Sequence, residues 1–203
     1  MQKLIAMVFI FVTFQASIMG QANKKFKEIK MIWTSEVIEV SADSLWRIVR
    51  DFQNISTWSS NVDHATGSGP AEFAGATCSE RVCEVSGLGA YNRVVEKLTL
   101  FDEEQQELAY QLTEGAPGFV LYASNHWQVM DAGPGQSRVR MEVTMRLKPL
   151  AGFFLGGQMK KTVDKALAVA MEELKVYAER GELSPAKLER MLVLEKKLAK
   201  KAA

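Results

Sequence analysis

Glu96 is the residue that most invites a chemical question. Side chains alternate along Tyr91 to Phe101, and the set Asn92, Val94, Glu96, Leu98 and Leu100 reads as the inward face. A carboxylate among such neighbours must be paired, hydrogen-bonded or neutral. Two roles are open to it. Bonded to Asn92, Tyr110 or an arginine, Glu96 is a structural contact. Left facing a ligand, it anchors a polar end or, with Tyr110 assisting, moves a proton as acid or base. Tyr110 belongs to the inward set Leu108, Tyr110 and Leu112 of the following stretch. Trp58, Tyr110 and Trp127 can supply flat apolar walls with a polar handle, or simply fill a core. Met141, Met145 and Met159 are adaptable fillers suited to a variable ligand, or again core, and Val163 continues the Met159 stripe.

Other chemistries find no support. His64 falls in or beside a loop, and His126 shares the parity of Tyr122, Ser124 and Gln128, the wet side of its stretch. Two distant histidines without a cysteine or a close carboxylate motif do not make a metal site. The sequence has no Gly-x-Ser-x-Gly elbow and no phosphate-binding glycine loop, and nothing in it calls for a cofactor. Gly156-Gly157-Gln158 reads as a turn.

The elements that must position these residues follow from periodicity. Ile32 to Val40 is β-branched and reads as a strand that ends at Ser41, an N-cap for a helix with Leu45, Ile48, Val49 and Phe52 on one face. Asn54 to Trp58 makes a second short helical turn. Strands are expected at Val62 to Thr66, Ala76 to Val85, Tyr91 to Phe101, Glu107 to Thr113, Leu121 to Met130 and Ser137 to Leu147, separated by Gly, Pro, Ser and Asp turns. The last alternates most cleanly, with Val139, Met141, Val143, Met145 and Leu147 on one side. In the stretch before it, Leu121 to Met130, the inward set is Ala123, Asn125, Trp127 and Val129. After Gly156-Gly157 the period changes to that of a helix, with Met159, Val163, Leu167, Ala170, Met171, Leu174 and Tyr177 as its stripe. Lys160, Lys161, Asp164, Lys165, Glu172, Glu173 and Lys175 are expected to face water. Gly181 should close this helix, and Ser184-Pro185 can start one more.

A sheet with one apolar face must cover that face, and the long helix is the one element able to do so. The expected architecture is therefore α+β: a seven-stranded curved antiparallel sheet wrapped around a long C-terminal helix, in the order β-α-α-β6-α, over residues 30–181. Residues 1–22 read as a signal peptide, with a positive start at Lys3, an apolar run from Leu4 to Phe14 and the site Gly20-Gln21-Ala22. An uncleaved anchor is the alternative. Residues 182–203 form a basic tail that either packs on the domain or binds a membrane surface, with Leu188, Met191, Leu192 and Leu198 inserting.

The formal balance of 25 basic against 24 acidic residues becomes even once Lys3 is removed, so the chain lacks the basic footprint of a nucleic-acid binder. The 47% apolar content is that of a globular chain. Cys78 and Cys83 are the only cysteines. Both fall in one expected strand at odd spacing, on opposite faces, which favours two free thiols over a disulfide.

Within this order, Ser41-Ala42-Asp43-Ser44-Leu45-Trp46, Asp51-Phe52 to Trp58, Gly75, Glu96-Lys97-Leu98 with Asp102, Tyr110, Trp127 and Leu174-Lys175 resemble the START-like (SRPBCC) superfamily of polyketide cyclases, dehydrases and lipid-transfer proteins. The resemblance covers about residues 30 to 180. It implies a helix-grip fold with a cavity between sheet and helix, and a fold of this kind says more about architecture than about chemistry. Three functions are open: a carrier of a small apolar or amphipathic ligand outside the cytoplasm, a cyclase or dehydratase-like enzyme using Glu96 and Tyr110, or an interaction protein whose cavity is filled.

Overall fold

The computed structural model describes residues 25–85 and 92–202. The expected signal segment, residues 1–22, lies outside them. The elements run β1 (Lys27–Thr34), α1 (Ala42–Val49), a 3-10 helix (Phe52–Thr57), β2 (Val62–Ser68), β3 (Glu80–Val85), β4 (Arg93–Asp102), β5 (Glu107–Glu114), β6 (Val120–Gly133), β7 (Gln136–Leu147), α2 (Pro149–Arg180) and α3 (Pro185–Ala202). The seven strands form one sheet in the order β1-β7-β6-β5-β4-β3-β2, and every neighbouring pair is antiparallel. This is the helix-grip architecture expected from the order of elements. Among the described residues no helix is long and apolar enough to cross a membrane.

The alternation of β7 is realised along its whole length: Val139, Met141, Val143, Met145 and Leu147 are buried and the residues between them are not. Ser41 caps α1 by accepting the Ser44 N–H at Oγ, 3.3 Å. Gly181 closes α2 in the left-handed region with φ 68°.

Several boundaries differ from expectation. The first strand is Lys27–Thr34 and not Ile32 to Val40, because beyond Thr34 the Ser35 hydroxyl takes the Val139 N–H at 3.0 Å and interrupts the ladder. The chain then rejoins β7 only at Ile38, whose N–H donates to Ser137 O at 2.9 Å. The third strand begins at Glu80, so Cys78 precedes it and the two cysteines do not share a strand; both are buried free thiols.

In β4 the register passes from Leu98↔Tyr110 directly to Leu100↔Ala109, leaving Thr99 as an extra residue. This bulge reverses the parity beyond it, so Phe101 is buried in the core and Leu100, expected inward, is not.

The largest correction concerns α2. Gly156 and Gly157 lie inside the helix, which starts about two turns earlier, at Pro149, where the proline ring presets helical φ. Gly152 and Gly156 are its buried face against β1: a Cβ on Gly152 would sit 2.6 Å from Lys27 Cβ. Gly152 is there for close approach, and Gly156, whose Cβ would sit 3.6 Å from Ile29 Cδ1, continues the same face; neither makes a turn. Further along, Leu167, Ala170, Met171 and Leu174 are buried as the stripe requires. Glu173, expected to face water, is buried instead. Its carboxylate accepts the Ser60 N–H and the Ser184 hydroxyl, each at 2.9 Å.

The base of α3 is tied down in the same region. The ammonium of buried Lys187 donates to Ser59 O at 3.0 Å and to Val62 O at 3.1 Å, and Arg190 grips both oxygens of Asp63 at 2.6 Å. Leu188, Met191, Leu192 and Leu198 are exposed.

Candidate functional site

Two adjoining chambers lie between the sheet and α2. The outer has a volume of 340 Å³ and an almost wholly apolar wall from Leu112, Val120, Val143, Met145, Met159 and Val163. The inner measures 230 Å³ and is bounded by Arg81, Cys83, Val94, Trp127 and Ala170 among others. Glu96, Tyr110, Asn125, Ala166 and Leu167 line both. The outer chamber meets the surface between Ala116-Pro117 of the β5–β6 loop and exposed Thr162 of α2. A further cavity of 490 Å³ lies between Trp33 to Glu36 and the later turns of α2. There Lys175 is engaged by Glu179 at 3.0 Å and by the Val37 carbonyl. The paired chambers join convergent polar groups to an apolar body, and such a combination is how ligand sites are built.

The polar pole begins with a cross-strand pair. Arg81 of β3 stands opposite Glu96 of β4, and its Nε donates to Glu96 Oε2 at 2.5 Å. Arg81 Nη1 donates to the Phe52 carbonyl at 2.8 Å. The guanidinium is clamped between two rings, 4.2 Å from the Phe52 centroid and 4.6 Å from that of Tyr110. Burial by itself would lower the Arg81 pKa, but the charge of Glu96 and its hydrogen bond outweigh it and raise the pKa overall. The group stays cationic and already has its counter-charge. The 3-10 helix Phe52–Thr57 contributes Phe52 to this clamp, while Trp58 packs edge-on against Trp127 at 6.4 Å behind it.

Around this pair the titratable neighbours are held neutral. Burial pushes the Tyr110 phenol up to about 12, and the Glu96 charge adds to the effect. Burial likewise pushes the Cys83 thiol up to about 12 against the pull of Arg81; its Sγ lies 3.7 Å from Glu96 Oε2. Such a thiol is inert as a nucleophile at neutral pH.

Asn125 Nδ2 donates to the Tyr110 hydroxyl at 3.2 Å, while Asn125 Oδ1 is buried with no partner among the described residues. Trp127 Nε1 is close enough to the phenol to favour its ionised form, yet it makes no hydrogen bond to a partner among the described residues. One acceptor and one donor are thus left over at the wall. Buried groups of this kind are the exception in folded proteins and each asks for an occupant or a reason.

Of the residues singled out from sequence, Glu96, Tyr110, Met145, Met159 and Val163 line the outer chamber, and Trp127 lines the inner one. Trp58 and Met141 are buried core residues that line neither. Asn92 is corrected outright: it precedes β4, is exposed and lines neither chamber, and it engages the sheet through its carbonyl, which accepts the Val85 N–H at 2.9 Å. His126 faces outward and meets Glu107 at 3.0 Å. Arg81 and Cys83 join the site from the third strand, for which the sequence offers no clean alternation of apolar and polar residues. The register Glu80↔Lys97 to Glu84↔Arg93 is a relation between two strands and is not written in the spacing of either one. It puts Arg81 directly across from Glu96.

Comparison with solved structures returns the same architecture. A norcoclaurine synthase from Thalictrum flavum, a point mutant in complex with a transition-state analogue, superposes with a TM-score of 0.57 at 16% identity, covering 74% of this chain and 96% of that one. The Zhui aromatase/cyclase from Streptomyces sp. R1128 gives 0.58 at 14% identity, over 76% of this chain and 94% of that one. A protein from Thermobifida fusca gives 0.57 at 21% identity, over 76% and 95%. At these identities the likeness speaks for the fold alone. Curated proteins yield no match. A family model described as polyketide cyclase / dehydrase and lipid transport matches residues 32–179, which run from inside β1 to the last turn of α2 and so take in the sheet, the long helix and both chambers between them. The chain belongs to the polyketide cyclase / dehydrase and lipid transport family, within the START-like (SRPBCC) superfamily.

Proposed function

We propose that this protein binds and carries a small, uncharged amphipathic molecule, with an apolar body in the outer chamber and a hydroxyl or carbonyl at the Tyr110 end. The carrying observation is the pole itself. Arg81 is neutralised by Glu96, Tyr110 and Cys83 are held protonated, and what remains to be satisfied is one donor on Trp127 and one acceptor on Asn125. A charged ligand would have to enter without a counter-ion, which is unfavourable in an apolar chamber. A hydroxyl both accepts and donates and so matches the pair. The apolar leader in the sequence supports placing this work outside the cytoplasm.

Two probes of one shape test the reading. 2-Naphthol should bind at least about tenfold more tightly than 2-naphthoate by calorimetry at neutral pH, since one satisfied polar pair and one avoided charge burial are together worth more than ~1.4 kcal/mol. Equal affinity, or preference for the anion, would sink the neutral-ligand reading. Protein purified from its native host and extracted with organic solvent should release a neutral amphiphile by mass spectrometry.

The proton-transfer alternative keeps Glu96 and Tyr110 in the wall, where both are within reach of an occupant. Against it stands the coupling of Glu96 to Arg81 and a phenol raised to about 12, far from the working pH at which an acid or base is efficient. The filled-cavity alternative is disfavoured by a chamber of 340 Å³.

A further inference from the structure

The first turns of α2 are inside out. Gly152 and Gly156 make the buried face, whereas Leu150, Phe153 and Phe154 are 78%, 75% and 74% exposed. At 100° per residue, positions 150, 153, 154, 157 and 161 fall on one side of a helix, opposite Gly152, Gly156 and Met159. The two phenyl rings touch edge to face at 5.1 Å and leave most of their surface to solvent. Folding gains nothing from such an arrangement, and an exposed patch of large apolar side chains marks an interaction surface.

Three observations specify the partner. First, the patch is flanked by one sign of charge: residues 143–163 contain no acidic residue, and Lys148, Lys160 and Lys161 are exposed beside the apolar group. Second, it borders the cavity mouth, since Met159 and Thr162 of the same helix line the outer chamber and the Lys148 N–H donates to Phe119 O at 2.8 Å, joining α2 to the loop that carries Pro117. Third, Leu121, 51% exposed, follows Val120, which pairs with Leu147, and so extends the apolar rim on that side. Protruding phenyls and leucines ringed by lysines match a bilayer surface, whose acyl region accepts the former and whose anionic headgroups attract the latter.

We infer that the face formed by Leu150, Phe153, Phe154 and Lys160–Lys161 docks on an anionic lipid bilayer and sets the mouth of the cavity against it. The docking stands on this surface; its use for loading and unloading a ligand rests on the carrier reading above.

The test reports on this face and not on the N-terminal apolar segment. In the full chain Gly157→Cys is labelled with acrylodan; a Cβ at 157 meets nothing within 4 Å, and Cys78 and Cys83 are buried. Vesicles of phosphatidylcholine with about 30% phosphatidylglycerol should shift the emission to the blue, pure phosphatidylcholine should do so at least about tenfold more weakly, and about 0.5 M salt should reduce the anionic response. Phe153→Ser with Phe154→Ser, and separately Lys160→Glu with Lys161→Glu, should each weaken the response at least about tenfold while melting and 2-naphthol affinity stay unchanged. An unshifted label, or a response that both double variants retain, overturns the docking. So does a vesicle-free dimer that Phe153→Ser with Phe154→Ser dissolves, which would make a second copy the occupant. Loss of 2-naphthol binding with vesicle docking intact would remove the carrier reading and leave the docking standing.

Discussion

The two ends of the cavity are built on opposite principles. At the inner end Arg81 is fixed by Glu96, by the Phe52 carbonyl and by two aromatic faces, so the guanidinium has directional partners. At the outer end Met145, Met159, Val163 and Ala116 enclose space with side chains that have no directional demands. The first arrangement selects by chemistry and tolerates little change; the second selects by volume and can repack.

The sharpest way to break this contrast is to remove half of the inner pair. Arg81→Met leaves Glu96 in a largely buried place without its partner and should cost about 3–5 kcal/mol by urea denaturation, whereas Arg81→Met with Glu96→Leu should recover most of that loss. A single variant within about 1 kcal/mol of wild type would mean the pole is no more constrained than the rim.

Alkaline titration probes the same end. Tyr110 and Cys83 are raised from 10.0 and 9.0 to about 12 in the folded protein, so the fold holds more protons than the unfolded chain in that range. Their contribution is complete below about pH 9 and is lost as pH rises toward 12. Thermal melts across that window should fall, and Cys83→Ala should flatten the onset near pH 9; an unchanged onset would remove the thiol from the account.

At the outer end the expected effects are on binding. Val163→Trp should occupy the chamber and lower 2-naphthol affinity at least about tenfold, with stability within about 1 kcal/mol because there is room for the ring. Undiminished affinity would place the ligand elsewhere. The smallest effect is expected at the boundary between the ends: Asn125→Ala should reduce the preference for 2-naphthol over naphthalene by about fivefold, near 1 kcal/mol, by removing the unpartnered acceptor. A preference that survives would assign the polar contact to Trp127 alone.

Most of the sheet was legible because a strand with one buried face writes a period of two into the sequence, as β7 does from Val139 to Leu147. Where a local event broke the period, legibility failed at that residue. The extra Thr99 in β4 turned Leu100 out and Phe101 in, and the Ser35 hydroxyl ended β1 where composition favoured continuing it. Glycine was the most misleading signal. Gly156-Gly157 looks like a break in isolation, and only the proximity of Lys27 and Ile29 shows that a helix continues through it on its flattest face.

The sequence by itself determined the order of elements, the inward sets of β5, β6 and β7, and Glu96 and Tyr110 as the residues to watch, because each depends on spacing along one strand. The tertiary structure decided that Arg81 meets Glu96, that Asn125 and Trp127 each keep a free hydrogen-bonding atom, that Glu173 and Lys187 are buried, and that Phe153 and Phe154 face out. These are relations between chain segments far apart or between a helix and the surface it lies on. Periodicity records which side of an element is apolar; it does not record what that side will touch.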